Sequence, residues 1–197
     1  MLSKNRILDM HKRWKEHPTL SLRRILASSD QESPFGRTEA GFMDFRGFAI
    51  NESLHKLILE QLDLSFCVLL GRGQFASTVK RCRFVGATLE GTHGNSFDLC
   101  DFSGADLRNS VMLGTFSNCQ FTGANLSMVR SSQAGFTGCC FDRANLRKSA
   151  FYCCQFTDCS FIGTKFGSGS LANSMFTNCR FDHPDFSRVV LDGTKWI

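Results

Sequence analysis

Large apolar side chains recur every five residues along the second half of the chain. From Phe116 to Trp196, each fifth residue is Phe, Leu or Trp, and Ser131 is the single exception. Two residues before most of these positions stands a small side chain, such as Ala, Cys, Ser or Thr. A period of five fits neither an α-helix nor a flat β-strand, so the pattern indicates an internal repeat. The hydroxyl of Ser131 is expected to bond a local backbone group at a corner of the repeat.

The residue types repeat again after twenty positions, which groups four five-residue units into one turn. Cysteines recur at this spacing from Cys119 to Cys179, and phenylalanines recur from Phe121 to Phe181. Stacked turns bring like side chains together at about the 4.8 Å that separates neighbouring strands. Most cysteines fall on small inward positions of such a coil, where a soft side chain packs well against Phe.

The pattern is weaker towards the N-terminus and slips twice. It begins faintly at Phe45 and Ile50, and the leucines of residues 51–62 fit either a helical turn or the five-residue register. Further on, Leu89 precedes the next clear position by eight residues, and Met112 precedes its successor by four. Both spacings are too short, so we expect a tightened or irregular corner near residues 91–96 and near residues 113–114.

The first part of the chain follows a helical pattern instead. Residues 3–17 are predicted to form an amphipathic helix that Ser3 caps and Pro18 ends. Its apolar stripe, which we expect to cover the open end of the coil, consists of Ile7, Leu8, His11 and Trp14. A short helical segment over 20–27 and a loop over 28–37 follow. The predicted division is therefore a helical cap and loop over 1–42 and a repeat domain over 43–197.

Three of the five-residue units are close to a known consensus of a small residue, Asn or Asp, Leu or Phe, and two polar residues. They are Gly-Ala-Asp-Leu-Arg at 104–108, Gly-Ala-Asn-Leu-Ser at 123–127 and Arg-Ala-Asn-Leu-Arg at 143–147. In these units, and across about residues 60–197, the chain resembles the pentapeptide-repeat family. The resemblance implies an all-β fold, a right-handed quadrilateral β-helix, here with a short N-terminal α-helical cap.

The resemblance also implies functions. Some family members bind bacterial type II topoisomerases and protect them from quinolones or toxins, acting as acidic, DNA-shaped rods that usually dimerise end to end. This chain of 197 residues carries a net charge of +5, and residues 51–197 hold fourteen Lys and Arg against twelve Asp and Glu. That charge disfavours DNA mimicry, and it is too balanced to predict nucleic-acid binding.

Composition limits where the protein can be located and which kinds of site it can hold. No apolar run is long enough to cross a membrane, and no secretory signal is apparent near the N-terminus. Ten cysteines without such a signal favour reduced thiols, hence the cytoplasm.

The five histidines are scattered, and no C-x-x-C spacing occurs. A phosphate loop at Gly71–Gly73 is only weakly indicated, since a turn explains the glycines. We therefore predict no cofactor, no metal site and no catalytic residues, although Cys140 and Cys153 point outward and leave a surface-thiol enzyme as an alternative.

Outward positions supply the candidate binding residues. A basic row follows one set of core leucines and consists of Arg108, Arg147, Lys148, Lys165 and Arg188. An apolar row on another side consists of Val111, Leu113, Met128, Tyr152 and Val190. The last residues, Trp196 and Ile197, are predicted to lie at an exposed end that either closes the core or pairs with a second copy.

These observations favour a non-enzymatic scaffold that binds a protein partner of unknown identity through the faces of the coil. An immunity-like or effector-like role, in a bacterial setting, fits the resemblance. A topoisomerase-protecting protein is the alternative that the positive charge disfavours.

Overall fold

The computed structural model describes residues 3–27, 32–69 and 74–197. The chain forms a right-handed quadrilateral β-helix of about seven turns, preceded by short helices. These are α1 (Lys4–Lys12), a 3-10 helix (Arg13–Glu16) and α2 (Leu22–Ala27). The strands are β1 (Met43–Asp44), β2 (Ala49–Ile50), β3 (Ile58–Glu60), β4 (Leu62–Asp63), β5 (Val68–Leu69), β6 (Gln74–Lys80), β7 (His93–Asp98), β8 (Val111–Ser117), β9 (Arg130–Ser132), β10 (Gly135–Thr137), β11 (Ala150–Tyr152), β12 (Gln155–Thr157), β13 (Ser160–Phe161), β14 (Met175–Thr177), β15 (Arg180–Phe181) and β16 (Lys195–Trp196).

Each turn has four faces, and every strand pairs in parallel with the strand one turn away. Phe156 in β12 pairs with Phe136 in β10 and with Phe176 in β14, twenty residues to either side. One regular coil therefore contains the predicted twenty residues. The inward residues define the faces: face 1 holds Phe116, Phe136, Phe156, Phe176 and Trp196; face 2 holds Phe121, Phe141, Phe161 and Phe181; face 3 holds Leu126, Leu146, Phe166 and Phe186; face 4 holds Ser131, Phe151, Leu171 and Leu191.

Phenylalanine rings fill the core in two arrangements. Along one face they stack nearly parallel, with the centroids of Phe136 and Phe156 4.9 Å apart at 8°. Between adjacent faces they meet edge to face, as Phe136 and Phe141 do at 5.6 Å and 70°. Both geometries suit aromatic rings, and each fully buried Phe stabilises the fold by about 1.5–3 kcal/mol.

Several small inward side chains that carry a donor form the same hydrogen bond. The Cys139 thiol donates to the carbonyl oxygen of Phe116 at 3.3 Å, and the Thr164 hydroxyl donates to that of Phe141 at 2.7 Å. In both cases the acceptor lies twenty-three residues back, in the preceding coil. These polar atoms are thus satisfied within the core, and all ten cysteines are free thiols.

The exceptional Ser131 uses the same device, and the prediction of a local corner bond was wrong. Ser131 lies in the middle of β9 and is buried. Its hydroxyl donates to the carbonyl oxygen of Met112 at 2.7 Å, nineteen residues back. The acceptor therefore belongs to the preceding coil, because the stacking of coils brings the Met112 carbonyl group within reach of the Ser131 hydroxyl.

The weak N-terminal register is real. Phe45 and Ile50 are fully buried, and so are Leu54 and Leu59, so residues 51–62 belong to the repeat and not to a helix, with one step of four residues between Ile50 and Leu54. The repeat therefore already runs through the segment that was ambiguous in sequence.

The two register slips lie where expected, and of the two predicted outcomes the structure shows the irregular one and not a tightened corner. β7 and β8 each run straight through the slip, so that faces 4 and 1 merge into one strand. Their pairing contains an irregularity between Gly94 and Ser96. Losing one or two residues removes the corner between the faces and leaves no residues to form a turn there.

The cap differs from the predicted helix in length and in its contacts. Ser3 does cap α1, accepting from the Arg6 amide at 3.4 Å, but the α-helix ends at Lys12 and not at residue 17. Trp14 is buried among the first-coil side chains, with its ring centroid 4.8 Å from that of Phe48. Leu8, predicted to cover the coil end, is 52% exposed because α1 turns that side to solvent.

Residues 28–31, at the start of the predicted loop, and the glycine pair at 71–73 lie outside the described residues.

Candidate binding surface

The basic row occupies face 3 and its corner with face 4. Arg147 and Lys165 flank the inward Leu146 and Phe166, so their side chains extend outward. Lys148 stands at the corner with a left-handed φ of 59°, and Arg188 occupies the same corner two coils on. All four are exposed. In each coil, an inward residue has outward neighbours on either side. The outward basic residues of these coils therefore lie together as a cationic strip.

Arg108 belongs to this row by position but differs in its electrostatics. Its guanidinium contacts the carboxylates of Asp106 at 2.8 Å and Glu90 at 3.4 Å. In the described part of the chain, no comparable ion pair forms at Arg147, Lys148 or Lys165. The unpaired positive charge of this row is therefore concentrated in the coils after Leu126.

One acid adjoins the strip. Asp185 accepts hydrogen bonds from the side chain and the amide of Ser187, at 2.6 and 3.0 Å. These bonds, with the nearby charge of Arg188, hold the pKa of Asp185 below its ordinary value. Asp185 therefore stays ionised and offsets part of the charge of Arg188.

The apolar row does not form a continuous patch. On face 4, Val111 is followed in the ladder by Arg130, and Tyr152 pairs with Ser132. Tyr152 is 51% exposed and Val190 is 48% exposed, but Ser170 separates Val190 from the coil below. Leu113 is likewise exposed. These side chains lie singly among polar neighbours.

Met128 links the two rows. It stands at the corner of faces 3 and 4 with φ 58°, twenty residues before Lys148 in the same position. Its amide donates to the carbonyl oxygen of Arg147 at 3.1 Å. The described surface therefore brings an exposed Met against the cationic strip, which the sequence interpretation had placed on separate sides.

The family assignment rests on the repeat and the coil together. Residues 116–151 and 154–193 match eight copies of the pentapeptide repeat, and the same residues form the regular part of the solenoid. These two segments therefore carry the repeat that defines the pentapeptide-repeat family. No curated protein sequence matches it.

Solved structures of similar shape share this fold at low sequence identity. A trypsin-treated form of QnrB1, a plasmid-mediated fluoroquinolone resistance protein, matches with a TM-score of 0.64 at 20% identity, covering 77% of this chain and 87% of that one. Full-length QnrB1 matches with a TM-score of 0.55 at 16% identity, covering 78% and 91%. This likeness shows the pentapeptide-repeat fold alone. None of the helices in the described residues is long and apolar enough to cross a membrane.

Arg130 and Arg143 are basic residues that the sequence interpretation left out of the strip. Arg130 stands on face 4, between Val111 and Ala150 in the ladder, and Arg143 stands at the corner of faces 2 and 3. Both are exposed. The period of twenty assigns outward residues to every face, and applying it to the neighbouring faces as well as to face 3 would have identified both arginines.

The thiols of this pentapeptide-repeat protein divide by burial. Cys140 and Cys153, the two predicted to point outward, are half-buried, as is Cys179 near the last coil. The Cys140 sulfur lies 3.4 Å from the Thr122 hydroxyl. Burial raises the pKa of Cys67 well above its ordinary value. Across the described residues, no cluster of His, Cys, Asp and Glu has the arrangement of a metal site.

The C-terminal end of the pentapeptide-repeat coil is partly open. Trp196 continues the face 1 stack, with its ring centroid 4.6 Å from that of Phe176, yet it is 46% exposed. Ile197 is more exposed, although its amide donates to the carbonyl oxygen of Phe176 at 2.8 Å. Phe186 and Leu191 in the same coil are only half-buried. Trp196 therefore covers part of the core and leaves an apolar end surface.

Proposed function

We propose that this pentapeptide-repeat protein is a non-enzymatic scaffold that binds an acidic protein partner along face 3, in an immunity-like or effector-like role. The observation that carries the proposal is the strip of Arg147, Lys148 and Lys165, which are exposed and lack carboxylate partners within the described chain. Unpaired surface charge of one sign attracts a complementary surface and speeds association with it.

The exposed apolar side chains near the strip support the same proposal. Met128 lies beside Lys148, and Tyr152 stands on the adjoining face. Met and Tyr are typical of interface centres, where a few large side chains contribute most of the binding energy. A partner that reaches over the corner of faces 3 and 4 would contact both the charges and these anchors.

Charge reversal of the strip tests the proposal. The variant combines Arg147→Glu with Lys148→Glu, and the matched control combines Lys80→Glu with Arg180→Glu, which reverses the same charge on other faces. Immobilised wild-type chain and both variants are incubated with bacterial lysate, and retained proteins are compared. We expect proteins that wild type and control retain to be lost from the strip variant. Equal loss from both variants would mean that net charge, and not this surface, governs binding.

Protection of a topoisomerase is the second candidate, because the fold is shared with a fluoroquinolone resistance protein. The surface charge argues against it, since the exposed strip is cationic whereas a DNA mimic needs an anionic one. Direct binding of purified bacterial gyrase to the wild-type chain separates the two candidates. We expect no binding, and tight binding would make topoisomerase protection the better proposal.

A second copy of the chain is the further partner that we propose, at the C-terminal end. The exposed Trp196 and Ile197 and the half-buried Phe186 form an apolar surface that an identical end would cover in a two-fold contact.

A further inference from the structure

Helix α1 stands away from the solenoid and leaves a groove. Only the C-terminal part of α1 docks, where Met10 lies against Gly47 and the His11 ring contacts the carbonyl oxygen of Gly47 at 2.9 Å. No residue of α1 is buried. The rest of the helix, with Lys4 and Ile7, forms one wall of a groove of about 860 Å³.

The opposite wall is the outer surface of face 2 in the first coils. Arg46, Ser65, Val85 and Ser103 occupy equivalent outward positions in four successive coils and line the groove. Three spacings between coils give a length of about 14 Å. An extended peptide covers that length with about four residues.

Phe66 forms the floor of the groove in a left-handed backbone conformation. It stands at a corner with a left-handed φ of 58°, where the neighbouring coils have Gly47 and Gly86. Its ring lies against Gly86, so close that a Cβ at Gly86 would be 2.7 Å from a ring carbon. A left-handed φ recurs at corners of the described coils, at Met128 and Lys148 for example, so the feature that distinguishes Phe66 is a large apolar ring at such a corner.

The charges that reach the groove are basic. The carboxylates of Asp44 and Asp63 lie beneath the surface, with side chains 5% and 4% exposed. Their partners Arg46 and Arg83 are 34% and 39% exposed. Lys4 adds a further cation at the wall. Asp44 and Asp63 offset part of these charges, but the groove presents the guanidinium side of each ion pair and not the carboxylate.

We propose that this groove binds an acidic segment of a protein partner, with an apolar side chain on Phe66 and carboxylates at Arg83 and Lys4. An apolar floor between cationic walls complements such a segment in both shape and charge. The site lies on face 2 beside the cap, apart from the face 3 strip, and shares with the proposed function only the acidic character of its partner.

A labelled synthetic peptide in which Glu alternates with Leu and Phe serves as the probe, and fluorescence anisotropy with the full chain measures its binding. The test variant is Phe66→Gly, which relieves the left-handed conformation and so keeps the fold. Leu99→Gly is the matched control, because Leu99 is also an exposed apolar residue with a left-handed φ, of 52°, and lies outside the groove. Circular dichroism checks that both variants are folded.

We expect the wild-type chain and Leu99→Gly to bind the peptide equally, and Phe66→Gly to bind it about tenfold more weakly, from the loss of one buried ring. A peptide with Lys in place of Glu should bind far less. Equal binding by Phe66→Gly, no binding by the wild type, or preference for the Lys peptide would each overturn the proposal. A halved mass of Phe66→Gly in light scattering would assign the groove to a second copy instead. Neither variant alters the face 3 strip, so this result and the charge-reversal result can fail separately.

Discussion

At the scale of single residues, a five-residue unit combines a large inward side chain with a small one, which in several units hydrogen-bonds to the coil before it. Cys139, Thr164 and Ser174 all donate to a carbonyl oxygen twenty-three residues back. The position therefore selects for small size, and a thiol is one of several small groups that fit there and can donate to the coil before. This explains why the cysteine ladder contributes to packing.

Replacing Cys139 tests this account. Cys139→Ser keeps a small donor within reach of the Phe116 carbonyl, so we expect the free energy of unfolding to change by at most about 1 kcal/mol. Cys139→Leu adds volume to a filled core and should lower that free energy by about 1–3 kcal/mol. Urea unfolding of both variants measures the difference. If the serine variant were the less stable of the two, the shared hydrogen bond would not govern this position.

At this scale, the sequence predicts the large inward residues better than the residues that depart from the repeat. The spacing of five identified the inward Phe and Leu residues, because burial follows directly from the period. It could not identify the acceptor for Ser131, since Met112 is a neighbour only after the coils stack. Phe66 was missed for a similar reason, because it faces a groove that forms only when α1 lies beside the first coils.

At the scale of elements, one buried carboxylate joins the cap to the first coil. Asp44 in β1 receives hydrogen bonds from Arg13 at 2.6 and 2.9 Å and from Arg46 at 2.7 and 3.0 Å. Burial by itself would raise the pKa of Asp44, but the bonds from Arg13 and Arg46 outweigh it and hold the pKa well below its ordinary value. The 3-10 helix that carries Arg13 is thereby fixed to the coil.

Stability should consequently fall in acid. Because the pKa of Asp44 is lower in the folded chain than the value of about 3.9 in an unfolded one, its contribution is present above about pH 4 and is lost as the pH falls further. Asp44→Asn should lower the free energy of unfolding at neutral pH by about 1.5–3 kcal/mol. The variant should also lose less stability than the wild type between pH 5 and pH 2, a window set by that unfolded value of about 3.9. Urea unfolding across this range measures both effects.

Asp9→Asn is the control for this prediction. Asp9 pairs with Lys12 on the exposed side of α1, where an ion pair contributes about 0–1 kcal/mol. An equal effect of the two substitutions would contradict the assigned role of Asp44.

The elements show where sequence patterns stop being informative. The stripe of Ile7, Leu8 and Trp14 predicted a helix and a cap, and Trp14 is buried against the coil, yet Leu8 faces solvent. A helical stripe gives the relative angles of side chains but not the direction from which the helix docks. The slips likewise indicated lost residues near Gly94 without indicating that a corner would straighten.

At the scale of the molecule, the chain is a rod with different ends. The first coil lies beneath the helical cap, and the last coil presents Trp196 and its neighbours. The period of twenty predicted this rod and its faces. The partners of the faces could not be predicted, because a basic strip limits the charge of a partner but not its identity.

Light scattering tests the proposed pairing of C-terminal ends. We expect the wild-type chain to have twice the mass of one chain, and Trp196→Asp to have the single-chain mass, because a carboxylate would be buried without a partner in the contact. Thr137→Asp places the same charge on an exposed site of face 1 and should keep the wild-type mass. An unchanged mass for Trp196→Asp would remove the C-terminal contact from consideration.

The straightened corner between faces 4 and 1 has a consequence for how such a chain tolerates insertions and deletions. Between Phe121 and Phe176 each ladder step spans twenty residues, so gaining or losing one complete coil changes the length of the rod and leaves every face in place. Losing one five-residue unit would instead rotate all later faces by a quarter turn and redirect the surfaces that they carry. The coils around Gly94, with steps of eighteen and nineteen residues, lose one or two residues without that rotation. A merged strand thus accommodates a small deletion locally, and every binding surface beyond it keeps its direction.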